Sequence, residues 1–158
     1  MSERHDPPPP RPIGFPPLIY AATLLLAFGL QWIHPLRFLP GRLGLWVGLP
    51  FVAAGVWLAI GARRTFDRAG TTVHPYEAAT ALVTTGPFRF SRNPMYLAMV
   101  VAYLGAGVLM MNSLWALFLL APLVAVIQLG VIAGEERFLE AAFGDAYRDY
   151  RASVRRWL

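Results

Sequence analysis

The chain has 158 residues, enough for one domain, and its 56% hydrophobic content and mean hydropathy of +0.48 exceed those of a soluble domain. It has no cysteine, which excludes disulfides, thiol catalysis, iron–sulfur clusters and Cys-ligated zinc, and His5, His34 and His74 do not form a metal-ligand spacing. The net charge of +5 rests on arginine alone, placed at the ends of apolar runs, a pattern of membrane topology rather than of a nucleic-acid-binding face.

In chain order, residues 1–16 form a polar, proline-rich tail with Pro7 to Pro10 in one run, expected to be flexible polyproline II. Residues 17–158 are expected to form a single membrane domain. Its first span, 17–33, is uncharged and stopped by His34-Pro35, and it is near the minimum length for a hydrocarbon core of about 30 Å. Gln31 and Trp32 suit the interface. No small-x-small cleavage site follows, so the run is expected to be a retained anchor. The second span, 43–62, places Gly44, Gly48 and Gly55 on roughly one face, where a neighbouring helix can approach closely. Pro50 is expected to bend it. Arg63, Arg64 and Arg68 mark its interfacial end.

Residues 65–93 are too polar to span a membrane and too long for an idle connection. His74-Pro75-Tyr76-Glu77 reads as a turn, and 78–83 as a short helix or extended piece. The stretch from Leu82 to Tyr96 holds two chain breaks, Gly86-Pro87 and Asn93-Pro94, and two arginines, Arg89 and Arg92. The third and fourth spans, 95–111 and 114–133, are separated only by Asn112-Ser113 and should form a tight antiparallel hairpin. Gln128 is the strongly polar side chain within the fourth span. An intramembrane amide marks either a site or a hydrogen bond between helices, and the sequence leaves both open. Glu135-Glu136 closes this span. Interfacial helices are expected over 135–157, where Leu139, Phe143, Tyr147, Tyr150, Val154 and Trp157 recur every three or four residues and Gly144 breaks the run. Such an aromatic stripe is expected to lie on the bilayer, with Glu140 facing water.

With four spans, twelve of the fourteen arginines share one side with both termini and the central loop, leaving only Arg37 and Arg42 opposite. The positive-inside rule places that richer side in the cytosol, and the expected membrane is the plasma (inner) membrane if the source is bacterial. The expected architecture is an all-α integral membrane protein of about four transmembrane helices, with a cytosolic central loop and a C-terminal amphipathic helix. The two polar clusters, 82–96 and 135–136, then meet at the cytosolic face and can bind a charged, soluble cofactor beside a lipid-accessible cavity.

Leu82-Val83-Thr84-Thr85-Gly86-Pro87-Phe88-Arg89, then Arg92-Asn93-Pro94-Met95-Tyr96, a helical hairpin, and Glu135-Glu136 with Leu139, Phe143-Gly144, Tyr147 and Tyr150 beyond it resemble the integral-membrane methyltransferases. These form the isoprenylcysteine carboxyl methyltransferase and phospholipid methyltransferase superfamily. The likeness covers about residues 69–154 and implies S-adenosylmethionine bound at the cytosolic end of the last two spans. Carried across residue by residue, it implies a cofactor site of Thr80, Leu82, Val83 and Phe88, of Asn93, Pro94 and Tyr96, and of Glu135 and Glu136. Glu135, Asn93 and Tyr96 stand nearest the chemistry. Two positions depart from the family pattern. Asn93 replaces its histidine, keeping a hydrogen-bonding side chain without a base. Val131 replaces an arginine of the prenylcysteine enzymes, which argues against a prenylcysteine carboxylate as acceptor.

The residue types suit methyl transfer. A carboxylate such as Glu135 can accept from ribose hydroxyls or an amino group, and Arg89 or Arg92 can hold the cofactor carboxylate. Tyr96 and Phe88 can stack on adenine or face the sulfonium. A base is needed only for a protonated acceptor, and His74, Glu135 and Glu136 remain open for that role. The expected acceptor is a membrane lipid or lipophilic small molecule. Two alternatives stand beside this reading: a membrane reductase of related fold using a nicotinamide cofactor, and a non-enzymatic membrane scaffold.

Overall fold

The computed structural model describes residues 12–40, 42–71 and 79–158. The proline run, Gly41 and the turn around His74 and Glu77 lie outside the described residues. Among the described residues, six α-helices make up the fold: α1 (Pro16–Ile33), α2 (Leu43–Ala69), α3 (Pro94–Met111), α4 (Leu114–Ile127), α5 (Ala133–Phe143) and α6 (Asp145–Ser153). A 3₁₀ turn spans Gly86–Arg89, and a π-turn, Gln128–Ile132, joins α4 to α5. The described residues are helical with no strand element, and four helical stretches are long and apolar enough to cross a membrane. The protein is an all-α integral membrane protein.

The centre of the fold is the antiparallel pair α2 and α3, and glycine lets their backbones meet. A Cβ on Gly48 would stand 2.5 Å from the Leu109 nitrogen and 2.7 Å from the Gly105 oxygen; one on Gly55 would stand 2.7 Å from the Ala102 nitrogen. The glycine face of α2 is therefore spent inside the molecule. Exposed Trp46, Leu49 and Trp57 show that other parts of the helix surface are left to the lipid. Asn112, in the left-handed region at φ 45°, turns α3 back into α4, and the Ser113 hydroxyl accepts from the Trp115 backbone N–H at the start of α4. The far end of the bundle is sewn by Gln31, whose Oε1 accepts from the Ser113 hydroxyl and the Leu36 N–H.

Three features depart from the sequence expectations. The α2 helix runs to Ala69, beyond the expected end of the second span at residue 62. Thr65 bonds back to the Gly61 carbonyl and Gly70 caps the helix at φ 65°, so the chain stays helical until a residue able to adopt that conformation appears. The helix that carries the fourth span does not stop at residue 133. Its π-turn lets the Ala133 N–H reach the Gln128 carbonyl five residues back, and the helix carries on to Phe143. The extra residue rotates everything beyond it by about 100° relative to an uninterrupted helix. The aromatic stripe of the tail is turned into the protein rather than down onto a bilayer: Tyr147 and Tyr150 are buried, packed with Phe88, Val83 and Ala62.

Candidate functional site

One end of the bundle gathers the start of α1, the end of α2, the start of α3 and residues of α5 and α6 around a cavity of about 370 Å³. Small-molecule sites run from roughly 300 to 1,000 Å³. The first wall comes from the segment before α3. Pro87 opens the 3₁₀ turn that buries Phe88, whose ring meets Phe66 of α2 edge-on at 4.9 Å. Leu82 and Val83 lead into it along irregular chain, so residues 79–83 form no helix. The Tyr150 hydroxyl donates to the Phe88 carbonyl at 2.7 Å, and burial pushes its pKa above the ordinary tyrosine range, so it stays a donor.

Pro94 begins α3 and aims Tyr96 at α5. The Tyr96 hydroxyl donates to Glu135 Oε1 at 2.5 Å, joining the two polar clusters across 39 residues of sequence. Tyr20 of α1 donates in turn to the Tyr96 carbonyl. Glu135 and Tyr96 both line the cavity. Glu135 Oε2 has no partner among the described residues and is available to a ligand.

Glu136 has a different role. Arg156 meets it with both arms of its guanidinium, at 3.0 and 2.6 Å, and Arg92 stands 3.4 Å away. The acid is thus neutralised by one cation from each side. Arg92 is nine-tenths buried, and its Nε and Nη1 have no well-aligned partner among the described residues, although Tyr147 is close enough to feel its charge. The last residues fold back to close this corner. The Arg155 carbonyl accepts from the Arg92 N–H, the Arg156 carbonyl from Asn93 Nδ2 at 3.1 Å, and Trp157 Nε1 donates to Gln128 Oε1. Gln128 therefore acts as a hydrogen bond between elements.

Of the residues singled out in the sequence, Leu82, Val83, Phe88, Arg92, Asn93, Pro94, Tyr96, Glu135 and Glu136 line the one cavity. Thr80 and Arg89 do not. Thr80 is exposed and ties its own backbone and hydroxyl to Thr71 and Gly70; Arg89 points to solvent at the end of the 3₁₀ turn. Glu140, expected in water, is one-third exposed and paired with Arg148 and Arg151, outside the cavity. His74 lies outside the described residues.

Sequence reasoning did not reach Phe15, Pro16 and Pro17 at the head of α1, Arg63 and Phe66 at the end of α2, or Met99, Phe138, Tyr147 and Tyr150 as cavity walls. Arg63 carried a signal, as a cation at a span end, but nothing local tells which side of a helix looks inward. Its side chain is 66% exposed, with only a long 3.9 Å contact to Asp67.

The phospholipid methyltransferase family matches residues 43–146, a stretch that takes in α2, α3, α4, α5 and both polar clusters. A protein of Haemophilus influenzae described only as "Uncharacterized protein" is 42% identical over 64 residues, which are 40% of this chain and the whole of that protein. No solved structure matches the chain. The chain belongs to the phospholipid methyltransferase family, and with it to the membrane methyltransferases.

Proposed function

We propose that the protein transfers the methyl group of S-adenosylmethionine to a lipophilic or membrane-embedded acceptor, with the cofactor held in the cavity at the Tyr96–Glu135 pair. One observation carries this reading. Both sequence clusters, far apart in the chain, converge on a single cavity lined by charged and by apolar side chains. The residues suit the cofactor. Glu135 Oε2 can accept from its amino group or ribose, and Phe88, Tyr147 and Tyr150 offer aromatic surface for adenine. Arg63, the exposed cation on the cavity wall, is the group we assign to its carboxylate, because its guanidinium has only a long contact to Asp67.

Bound there, S-adenosylmethionine supplies an electrophilic methyl on a cationic sulfur. The part played by the chain is placement. The chemistry the cofactor would supply, methyl transfer from sulfur to the acceptor, would disperse positive charge rather than create it, so it would ask the chain for alignment more than for charge stabilisation. A dry cavity that aligns the two partners then accounts for much of the rate. Tyr96 orients Glu135 and presents an electron-rich ring beside the site. Asn93 turns its amide to the tail carbonyl and has no base to offer, so a proton leaving the acceptor goes to Glu135 or to water.

The test is calorimetric titration of the detergent-purified protein with S-adenosylmethionine, S-adenosylhomocysteine and NADPH. The two sulfur ligands should bind and raise the melting temperature by mass action, and NADPH should not. Binding of NADPH alone would favour the reductase reading, and binding of none by folded protein the scaffold.

A further inference from the structure

The chain ahead of α1 is fastened to the π-turn in an unusual way. The Ile13 N–H donates to the Gly130 carbonyl at 3.2 Å, and the Ile13 side chain rests in the notch that Gly130 leaves by lacking a side chain. A Cβ on Gly130 would collide with Ile13 Cδ1 and stand 2.7 Å from its Cγ1. Beyond this fastening, Phe15, Pro16 and Pro17 cross one wall of the cavity. The outer side of the same segment is apolar and open: Ile13 is 68% exposed, Leu18 67% and, on the adjoining π-turn, Leu129 74%. Such a surface belongs against lipid. The segment thus stands between the cavity and the acyl chains.

We propose that residues 12–17 form a strap, latched by Ile13 over Gly130, that gates lateral passage between the bilayer and the cavity. This rests on the reading above in one respect, that one reactant arrives from the lipid phase. The latch is weak by construction. One backbone hydrogen bond and one largely exposed side chain hold it, which places its opening at the low end of local stability, and Pro16 and Pro17 make the segment behind it stiff. A water-soluble ligand entering beside Arg63 and Glu135 has no need of this route. A molecule with an acyl chain does, since its tail must remain in lipid while its head reaches Tyr96 and Glu135. Phe15, Pro16 and Pro17 then set how bulky a chain can lie beside the site, and are specificity-determining residues for the acceptor.

The natural absence of cysteine allows a direct test. Met99→Cys places one thiol on the cavity wall of protein reconstituted in phospholipid nanodiscs. It is treated with hexadecyl methanethiosulfonate and, separately, with trimethylammonium-ethyl methanethiosulfonate, which share a reactive group and differ in their tails. In this background Ile13→Gly removes the plug and Gly130→Ala fills the notch. Each should speed reaction with the hexadecyl reagent about tenfold, with little change for the charged one, because each raises the population of the open strap. An unchanged hexadecyl rate in both variants would overturn the strap. So would equal acceleration of both reagents, the mark of general loosening. No methyl transfer is involved, so failure here is distinct from failure to bind S-adenosylmethionine.

Discussion

Glu135 and Glu136 are neighbours in sequence with opposite uses, and the difference lies in who meets them. Glu135 is met by one neutral phenol and by no cation, so a carboxyl oxygen remains open to the cavity; Glu136 is flanked by Arg92 and Arg156, so its charge is spent. Glu135→Gln should therefore weaken S-adenosylhomocysteine binding by roughly 10- to 150-fold, the loss of about 1.5–3 kcal/mol of charge-assisted hydrogen bonding, with little change in melting temperature. Asp149→Asn removes an equal charge from an exposed site in α6 and should leave affinity nearly untouched. Comparable losses at the two positions, read by calorimetry, would reject the site. Glu136→Gln should instead cost stability, about 2–3 kcal/mol, because it strands a nine-tenths-buried guanidinium. Glu140→Gln, whose pairs with Arg148 and Arg151 are half in water, should cost at most about 1 kcal/mol. Thermal unfolding of the two variants in one detergent checks the order.

At the scale of elements, the four apolar runs were legible because bilayer thickness imposes a length that hydropathy reports directly. The Asn112-Ser113 hairpin and the glycine face of α2 were legible too, since each follows from backbone sterics at named residues. The destination of the tail was not. The stripe of Phe143, Tyr147 and Tyr150 has the period of an interfacial helix and of a helix packed on protein, and the two differ only in what lies opposite. The deciding contacts, Arg92 with Arg155 and Asn93 with Arg156, join residues more than sixty apart and leave no local pattern. The contact of Arg92 with Glu136 is equally invisible locally, since a sequence cannot show that Glu136 and Arg156 form a set with it. The α2–α3 contact gives a sharp prediction. Gly55→Ala drives a methyl against the Ala98 oxygen and Ala102 nitrogen and should destabilise by about 3 kcal/mol. Gly29→Ala, where the new methyl meets nothing within 4 Å, should be neutral or slightly stabilising in α1. If both substitutions shift the melting temperature equally, the close packing of α2 on α3 is wrong.

At the scale of the whole molecule, the position of the cavity and the distribution of arginine have to agree for the proposed chemistry to work. The cavity lies where α2 ends, α3 begins and α5 and α6 pack, and Arg63, Arg64, Arg68, Arg89, Arg92 and the five tail arginines belong to that end. The opposite end, between α1 and α2 and between α3 and α4, carries only Arg37 and Arg42 and no acid. We propose, from the positive-inside rule, that the cavity end faces the cytosol, where a charged nucleoside cofactor is made and kept. A reporter fused after Leu158 should accordingly be retained in the cytosol, and one inserted after Asn112 should be exported. The insertion needs its own control, because the Asn112 side chain caps the Leu39 backbone and losing that contact could unfold the hairpin. A small tag placed after Arg42, in the other connection of the same end, should therefore report the same side. Export of the C-terminal fusion would put Glu135 and Arg63 on the face away from the cofactor, and would exclude a cytosolic methyl donor whatever the affinity of the purified protein.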